Sequence, residues 1–501
     1  MKSYLRPTPI FCTAIGTASG FYLIGFIPIF IFFSLLLAVS LLFHSFVIFC
    51  QYAAKINYKF NIDRKVQFFS TCTFAFSVGL IIGIFASSAG NKQQQFGFLP
   101  ETINAIEGVL LEDPRIISSG NAIASISLQR SFAKSSVESY NMNVTSSGEI
   151  TVFFPQEKAE KIKEFGRGTA VYSEGSLRRS GSDGNWIFRA DTMFIVKPAS
   201  PIERMRTNMR LSLINRFNDK KWGGLALALL LGVKDNLDSD LTAMYRNAGC
   251  SYILALSGMH LAVLAAVISF LLKPALGLKP AAVLGAVIIC LYCFLVGPMP
   301  SLNRAALMYL LGVVAILGFL PKQPLAILSL SFIIQIIITP AAGYSISFIL
   351  SYLALFGIFI IGQPLYELFA GKVPDILLQP LSASCGAFLA TAGITGTVFG
   401  YVAPVGIGVG LILVPLTTLY MILSLGWLFL DFISLSSFLS APLSFLYTLT
   451  EKIVSVASRF PAVLANEPLN IIIISIIVSV LIIVFEYVLR KSRLKLEPFY
   501  D

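Results

Sequence analysis

Residues 250–272 read CSYILALSGMHLAVLAAVISFLL, and this stretch decides the fold. It runs for 23 residues without a Lys, Arg, Asp or Glu. At ~1.5 Å per residue, a helix of that length crosses the ~30 Å hydrocarbon layer of a bilayer. Working outward, apolar stretches recur near 280–297, 303–320, 324–340, 344–362, 383–400, 405–431 and 469–489, and upstream near 8–26, 28–50 and 66–90. Gly and Pro interrupt many of them, as in TAGITGTVFGYVAPVGIGVG (391–410). Broken helices at membrane depth survive only where they face protein or a water-filled cavity, a pattern of transporters and channels.

Composition agrees. Of 501 residues, 56% are apolar without counting glycine, and 13% are charged, about half the ~25% usual in soluble domains. A soluble enzyme, a disordered chain and a fibrous protein are excluded. The expected fold is a polytopic α-helical membrane protein of about 10–11 apolar segments, some re-entrant or interfacial, with a small inserted extracytoplasmic β-domain.

Charge placement sets the expected orientation. Lys2 and Arg6 precede the first stretch, and Lys55, Lys59, Arg64 and Lys65 separate the second from the third. The positive-inside rule puts both groups in the cytoplasm, so three crossings bring residue 91 to the outer face. A second span follows the first at once and no A-x-A site ends it, so the first is not read as a removed signal peptide. Lys273 and Lys279 make the 250–272 span run inward. Eight alternating crossings would then leave the basic tail LRKSRLKLEPFYD outside, against the same rule. One segment is therefore expected to be re-entrant or interfacial, with 441–460 and 383–400 as the places to look.

Residues 91–202 differ. NAIASISLQR, GEITVFFP, GTAVYSEGSLR and NWIFRADTMFIV alternate with period two between Gly, Ser, Asn and Asp. They read as strands of a small β-domain, an OB-like barrel or a sandwich. Tyr172, Trp186 and Phe188 are its aromatic candidates, for core or for stacking. Residues 203–221 form a basic amphipathic helix with Arg204, Arg206, Arg210, Arg216, Lys220 and Lys221, and with Met205, Met209, Leu213 and Phe217 at i+4 spacing. It suits anionic lipid headgroups or a polyanion. The expected division is 1–90 for about three helices, 91–202 for the β-domain, 203–248 for amphipathic helices, 249–490 for the main membrane domain and 491–501 for a basic tail.

No enzyme, metal site or cofactor is expected. The chain has two histidines, too few for a His-rich dinuclear centre. It has no G-x-x-x-x-G-K-[ST] loop. Ser257 and His260 are three apart and can meet on one helix face, but no third group completes a nucleophilic set. The β-domain contains none of the seven cysteines, so no disulfide framework is read there, and Cys290 and Cys293 read as packing residues. Polar groups in apolar context are the informative ones: Ser257, Gly258, His260, Asn303, Arg304, Gln335, Ser347, Ser351 and Asp431. A central Arg costs at least ~2.5–3.5 kcal/mol by insertion scales unless it is solvated, paired or near an end. They read as a wet cavity lining or as interhelical hydrogen bonds.

Four stretches in order resemble the ComEC-type competence proteins: ALALLLGVKDNLDSDLTAMYRNAGCSYILALSGMHLAVL (226–264), PSLNRAALMY (300–309), SFILSYLALFGI (347–358) and VFGYVAPVGIGVGLILVPL (398–416). The resemblance covers roughly residues 20–435. It implies an inner-membrane channel for single-stranded DNA in natural transformation, with Ser257, Gly258, His260, Arg304, Ser347 and Ser351 as pore or core positions. It also implies partners: single-stranded DNA, membrane lipids, a DNA receptor, a cytoplasmic motor and a nuclease acting in trans, since this chain shows no metallo-β-lactamase-like part. Two positions depart from the pattern. Tyr252 stands where many members have His, and Gly410 where Asn is usual. The alternatives are a secondary transporter or a lipid or polysaccharide exporter, and a non-transporting scaffold. A DNA channel calls for a continuous basic path through the membrane, an exporter for a lateral apolar opening.

Overall fold

A computed structural model describes residues 8–23, 64–90, 94–117, 120–134, 141–157, 162, 165–179, 186–320, 323–460, 462–464 and 468–496. Helices α1 (Pro9–Leu23) and α2 (Arg64–Gly90) open the described chain. Small residues let them touch: a Cβ on Gly16 would stand 2.0 Å from the Phe76 carbonyl oxygen, and one on Gly83 2.2 Å from that of Thr17. Gly20 meets Leu80 and Gly79 meets Thr13 in the same way. Each helix thus carries a G-x-x-x-G pair, which admits close backbone approach. The partners ascend together in number, so the helices are parallel, and Leu23 and Arg64 lie at opposite ends of the pair. The stretch 28–50 and Lys2, Arg6, Lys55 and Lys59 lie outside the described residues. Cys12 and Cys72 share a thiol hydrogen bond between the two helices. Mild oxidation is therefore expected to hold the two helices together after cleavage between them, seen as a shift on a non-reducing gel. An antiparallel pair would give no such product.

The β-domain follows, with β1 (Ile103–Leu110), β2 (Arg115–Ile116), β3 (Ala122–Lys134), β4 (Asn141–Thr145), β5 (Glu149–Phe154), β6 (Ala170–Arg179) and β7 (Trp186–Lys197). The ladder runs β1–β6–β7–β5–β3, and β3 pairs back onto β1, so five strands close a ring. β5 and β7 are parallel, and the other ring pairs are antiparallel. Closure leaves no open edge in the ring, which decides for a barrel over a sandwich. Alternation fills the interior with Ile106, Leu110, Ile126, Ile150, Val152, Phe154, Val171 and Phe188. Phe188 is thus core, while Tyr172 faces outward.

Ser200 caps α3 (Pro201–Asn218), its hydroxyl accepting from the Glu203 N–H at 3.3 Å, with Pro201 at the first helical position. α4 (Gly223–Leu231) is buried at every residue. Within 203–248, expected to hold amphipathic helices, α4 is the exception: GGLALALLL has no polar face to give water, so it forms the centre of the core. Its C-terminal carbonyls find partners outside the helix, as when the Tyr292 hydroxyl donates to Leu230 O at 2.7 Å. Trp222 and Phe217 pack with Trp427 at ring-centroid distances of 5.2 and 4.9 Å.

α5 (Ser239–Asn247) and α6 (Ser251–Leu254) lead to the membrane helices α7 (Gly258–Leu276), α8 (Leu278–Val296), α9 (Pro300–Leu317), α10 (Pro324–Ile338), α11 (Ile346–Gly357), α12 (Gln363–Phe369), α13 (Asp375–Phe399), α14 (Val405–Asp431), α15 (Ser437–Ala457) and α16 (Pro468–Leu496). Seven helices among the described residues are long and apolar enough to cross a membrane: α2, α7, α8, α9, α11 with α12, α13 and α14. The chain is a polytopic helical membrane protein with an inserted β-domain. Three details differ from expectation. The span read as 250–272 is broken at Ala255–Ser257, which is extended. The piece 383–400 belongs to the 25-residue α13, whose Pro380 and small residues lower its mean hydropathy to 1.3. α10 is short, 15 residues with Pro324 at its start and Pro340 just after its end, while α15, which holds most of 441–460, is not among the helices apolar enough to cross.

Candidate functional site

The break before α7 is built by its own sequence. Ser257 is the N-cap of α7 and His260 the third helical residue. The Ser257 N–H donates to His260 Nδ1 at 3.1 Å, so an S-x-x-H sequence does the work of a capping box. The Ser257–His260 proximity is this cap, with the Ser257 Oγ 3.1 Å from the same nitrogen. The Leu256 carbonyl, freed by the break, accepts from Ser301 Oγ at 2.6 Å. With Nδ1 accepting, the neutral ring carries its proton on Nε2, and that buried atom has no hydrogen-bond partner among the described residues.

Arg304 stands one turn into α9 and is 5% exposed. Its Nη1 donates to the Ser351 carbonyl. The guanidinium carbon lies 5.6 Å from the centroid of the Tyr352 ring. A Cβ on Gly258 would stand 3.3 Å from Nη2, so glycine leaves the guanidinium its place beside α7. The Tyr352 hydroxyl donates to Gln335 Oε1 at 3.0 Å and sits 3.3 Å from Ser331 Oγ. Gln335 Nε2 reaches Pro300 O at 3.4 Å. Arg304 Nε has no partner, and no carboxylate among the described residues pairs with this guanidinium.

The structure thus brings together Ser257, Gly258, His260, Arg304 and the Ser351 backbone. Asn303 and Ser347 are exposed near the starts of α9 and α11, away from this cluster. Tyr352, Ser331 and Ser301 were not singled out by sequence reasoning. A Tyr or Ser in an apolar run looks like packing until its partner across the helices is known.

The basic helix divides. Arg206 is 1% exposed and bonds Asp113 of the β1–β2 loop through Nη1, at 2.9 Å, and through Nη2. Its Nε donates to Glu203 at 2.7 Å, and Nη1 also reaches Leu295 O, at the end of α8, at 3.4 Å. Arg210 bonds the same Asp113, and Arg167 of the barrel bonds Glu203 at 2.8 Å. Arg216 pairs with Asp431 at 2.5 Å and lies 4.6 Å over the Phe432 ring. Arg206, Arg210 and Arg216 of α3, with Arg167 of the barrel, clamp the barrel, α3 and the membrane domain together. Arg206 and Arg210 are not the free polyanion or lipid contacts expected of them, because they are turned inward onto Asp113, and Arg216, 34% exposed, is paired with Asp431. Arg204, Lys220 and Lys221 remain exposed. Burial alone would raise the Asp113 pKa, but the hydrogen bond from Arg206 and the charge of Arg210 outweigh it and hold the carboxyl below its ordinary range. Asp113 is legible only as a charge at a strand end in LEDPR.

On the outer surface of the barrel, Phe132, Tyr172 and Phe194 form a row across β3, β6 and β7, with centroid spacings of 5.2 and 6.5 Å. Arg130 and Glu107 pair beside it at 3.6 Å, and Glu174 accepts from the Tyr172 hydroxyl at 3.4 Å. Among the described residues, no three His, Cys, Asp or Glu side chains group so as to hold a metal.

A family model described as Competence protein matches residues 229–491, just over half of the chain. The chain belongs to the competence protein family. An uncharacterised protein of Aquifex aeolicus (strain VF5) is 29% identical over 245 residues, covering 47% of this chain and 56% of that protein. ComE operon protein 3 of Bacillus subtilis (strain 168) is 29% identical over 137 residues, covering 26% of this chain and 17% of that protein. The competence match takes in both the His260 cap and the Arg304 cluster.

The two departures noted in the sequence meet in space. A Cβ on Gly410 would stand 2.5 Å from the Tyr252 hydroxyl. Gly410→Asn alone is expected to cost ~1 kcal/mol, the low end of overpacking because Tyr252 is half-exposed and can turn. Gly410→Asn with Tyr252→His is expected to recover the loss in a detergent melting assay. Equal losses in the single and double variants would contradict this coupling.

Proposed function

We propose that this chain is a channel component that admits single-stranded DNA across the cytoplasmic membrane during natural competence. Membership of the competence family supports a role in DNA uptake. The observation that carries the finer reading is Arg304, a buried guanidinium at a broken membrane helix with no carboxylate partner among the described residues. An unpaired buried charge is costly, and a passing phosphodiester supplies the counter-charge.

Position supports the reading. α7 and α8 are consecutive helices joined at Gly277, so Leu295 returns to the level of Ser257. The barrel is docked at that end through Arg206, and Lys273 and Lys279 lie at the other. By the positive-inside rule the lysines are cytoplasmic and the barrel lies outside, above the Arg304 cluster. The closed five-strand ring with its one parallel pair supports an OB-type barrel. Its aromatic row, Phe132, Tyr172 and Phe194, offers faces on which bases of any sequence stack. The chain acts without catalysis of its own, and a receptor, a motor and a separate nuclease are its partners. The basic path does not come from the clamping arginines of α3, which are engaged; it rests on Arg304 and on the exposed Arg204, Lys220 and Lys221.

Photo-crosslinking tests this. A photoreactive amino acid at Asn303 or Ser347, both exposed at the barrel-side end, is expected to capture labelled single strands during uptake. An absence of adducts at both positions, with uptake intact, would count against a path through this end of the bundle.

A further inference from the structure

α3 has a buried face and an exposed apolar face about a quarter-turn apart. One is used inside the protein, where Arg206, Thr207 and Phe217 are buried. The other carries Ile202, Met205 and Met209 at i, i+3 and i+7, exposed by 63%, 56% and 52%. None of these residues belongs to a membrane span. Their level is fixed by Arg206, which sits beside Met205 in sequence and donates to Leu295 O in the last turn of α8. α8 is a spanning helix whose Val283, Leu284, Val287 and Leu291 are exposed, the surface such a helix presents to lipid. The apolar stripe of α3 therefore begins where the lipid-facing belt of α8 ends.

We propose that Ile202, Met205 and Met209 form a lipid anchor that seats the β-domain in the adjoining leaflet, at the boundary of headgroups and acyl chains. Exposed apolar surface of this kind rimmed by polar residues marks an interaction site, and an amphipathic helix lying in the interface buries its apolar face ~5–10 Å into that boundary. Arg204, exposed on α3, and Lys197, exposed at the end of β7, stand ready for lipid phosphates. Lipid contact thus passes from the clamped arginines expected to make it to the methionine stripe.

The test uses the full chain with Met205→Trp, and separately Ile202→Trp, reconstituted in vesicles containing lipids brominated near the glycerol end of their chains. The native Trp222 and Trp427 are buried, and Trp186 begins β7 at the end away from α3. Most of the added emission is expected to be lost to the brominated lipid and little to aqueous iodide, while Asn208→Trp on the polar flank is quenched by iodide. Quenching of positions 202 and 205 by iodide and not by bromine would place the stripe in water. Protection from both quenchers would place protein over it. Either result overturns the anchor, and neither bears on DNA passage.

Discussion

Asp113→Asn is expected to undock the barrel. Asp113 accepts from two arginines, one of them almost fully buried, and the substitution leaves Arg206 and Arg210 side by side with only Glu203 to answer them. Removing one partner of a buried ion pair costs ~3–5 kcal/mol, because the remaining charge stays desolvated. A lower melting temperature in detergent and faster protease cleavage at Pro198–Pro201 are the readouts. Glu112→Gln breaks the solvent-facing pair with Arg115 nearby and should cost ~0–1 kcal/mol. The pH dependence has a definite sign. The Asp113 pKa in the folded chain lies below its ordinary 3.8. Its contribution is fully present above that value and is lost as pH falls through the lower, folded one. The wild type should keep its barrel docked at mildly acidic pH, and Asp113→Asn should be undocked throughout. Equal melting of wild type and Asp113→Asn at neutral pH would show the clamp to be idle.

Arg304→Lys is expected to reduce DNA entry while the protein inserts at normal abundance. Lysine keeps the charge but lacks the planar fork that reaches Ser351 O while resting beside Gly258 and the Tyr352 ring. The loss of one charge-assisted hydrogen bond, ~1.5–3 kcal/mol, corresponds to roughly a 10- to 150-fold drop. A snorkelling side chain would tolerate the change, since a lysine stem reaches the interface equally well. His260 needs two variants because it also caps α7. His260→Ala removes the cap, worth ~1 kcal/mol. His260→Gln keeps an acceptor for the Ser257 N–H. If Gln restores stability but not entry, the ring has a role beyond the cap. If it restores both, His260 is a capping residue and nothing more.

Much of this architecture is legible in the sequence because it follows from period and composition. Long uncharged runs mark the spans, and two-residue alternation marks the strands. What escapes depends on partners far apart in the chain. The GGLALALLL helix falls in a stretch read as amphipathic, and only its neighbours show that it is wholly enclosed. Arg206 and Arg204 look alike in ERMRTNMR, yet one is locked to Asp113 and the other is free in solvent. The break at Ala255–Ser257 could be read from S-x-x-H as a cap, but an apolar run on both sides hides it. Within the candidate site, Ser257, His260 and Arg304 stand out in sequence because polar groups in hydrocarbon are conspicuous, and Gly258 because it lies in the same motif. Asn303 and Ser347 are equally conspicuous and lie apart from the cluster, since a residue near a helix start can face outward. Tyr352 and Ser301 are missed because their polarity shows only against the groups they meet.

The most direct measurement of the central claim is entry of labelled DNA into the cytoplasm of cells deleted for this gene and complemented with defined alleles. The account predicts that internalised single strands disappear in the deletion, return with the wild-type chain, and stay low with Arg304→Lys at matched membrane abundance. Unchanged entry in the deletion strain would contradict it.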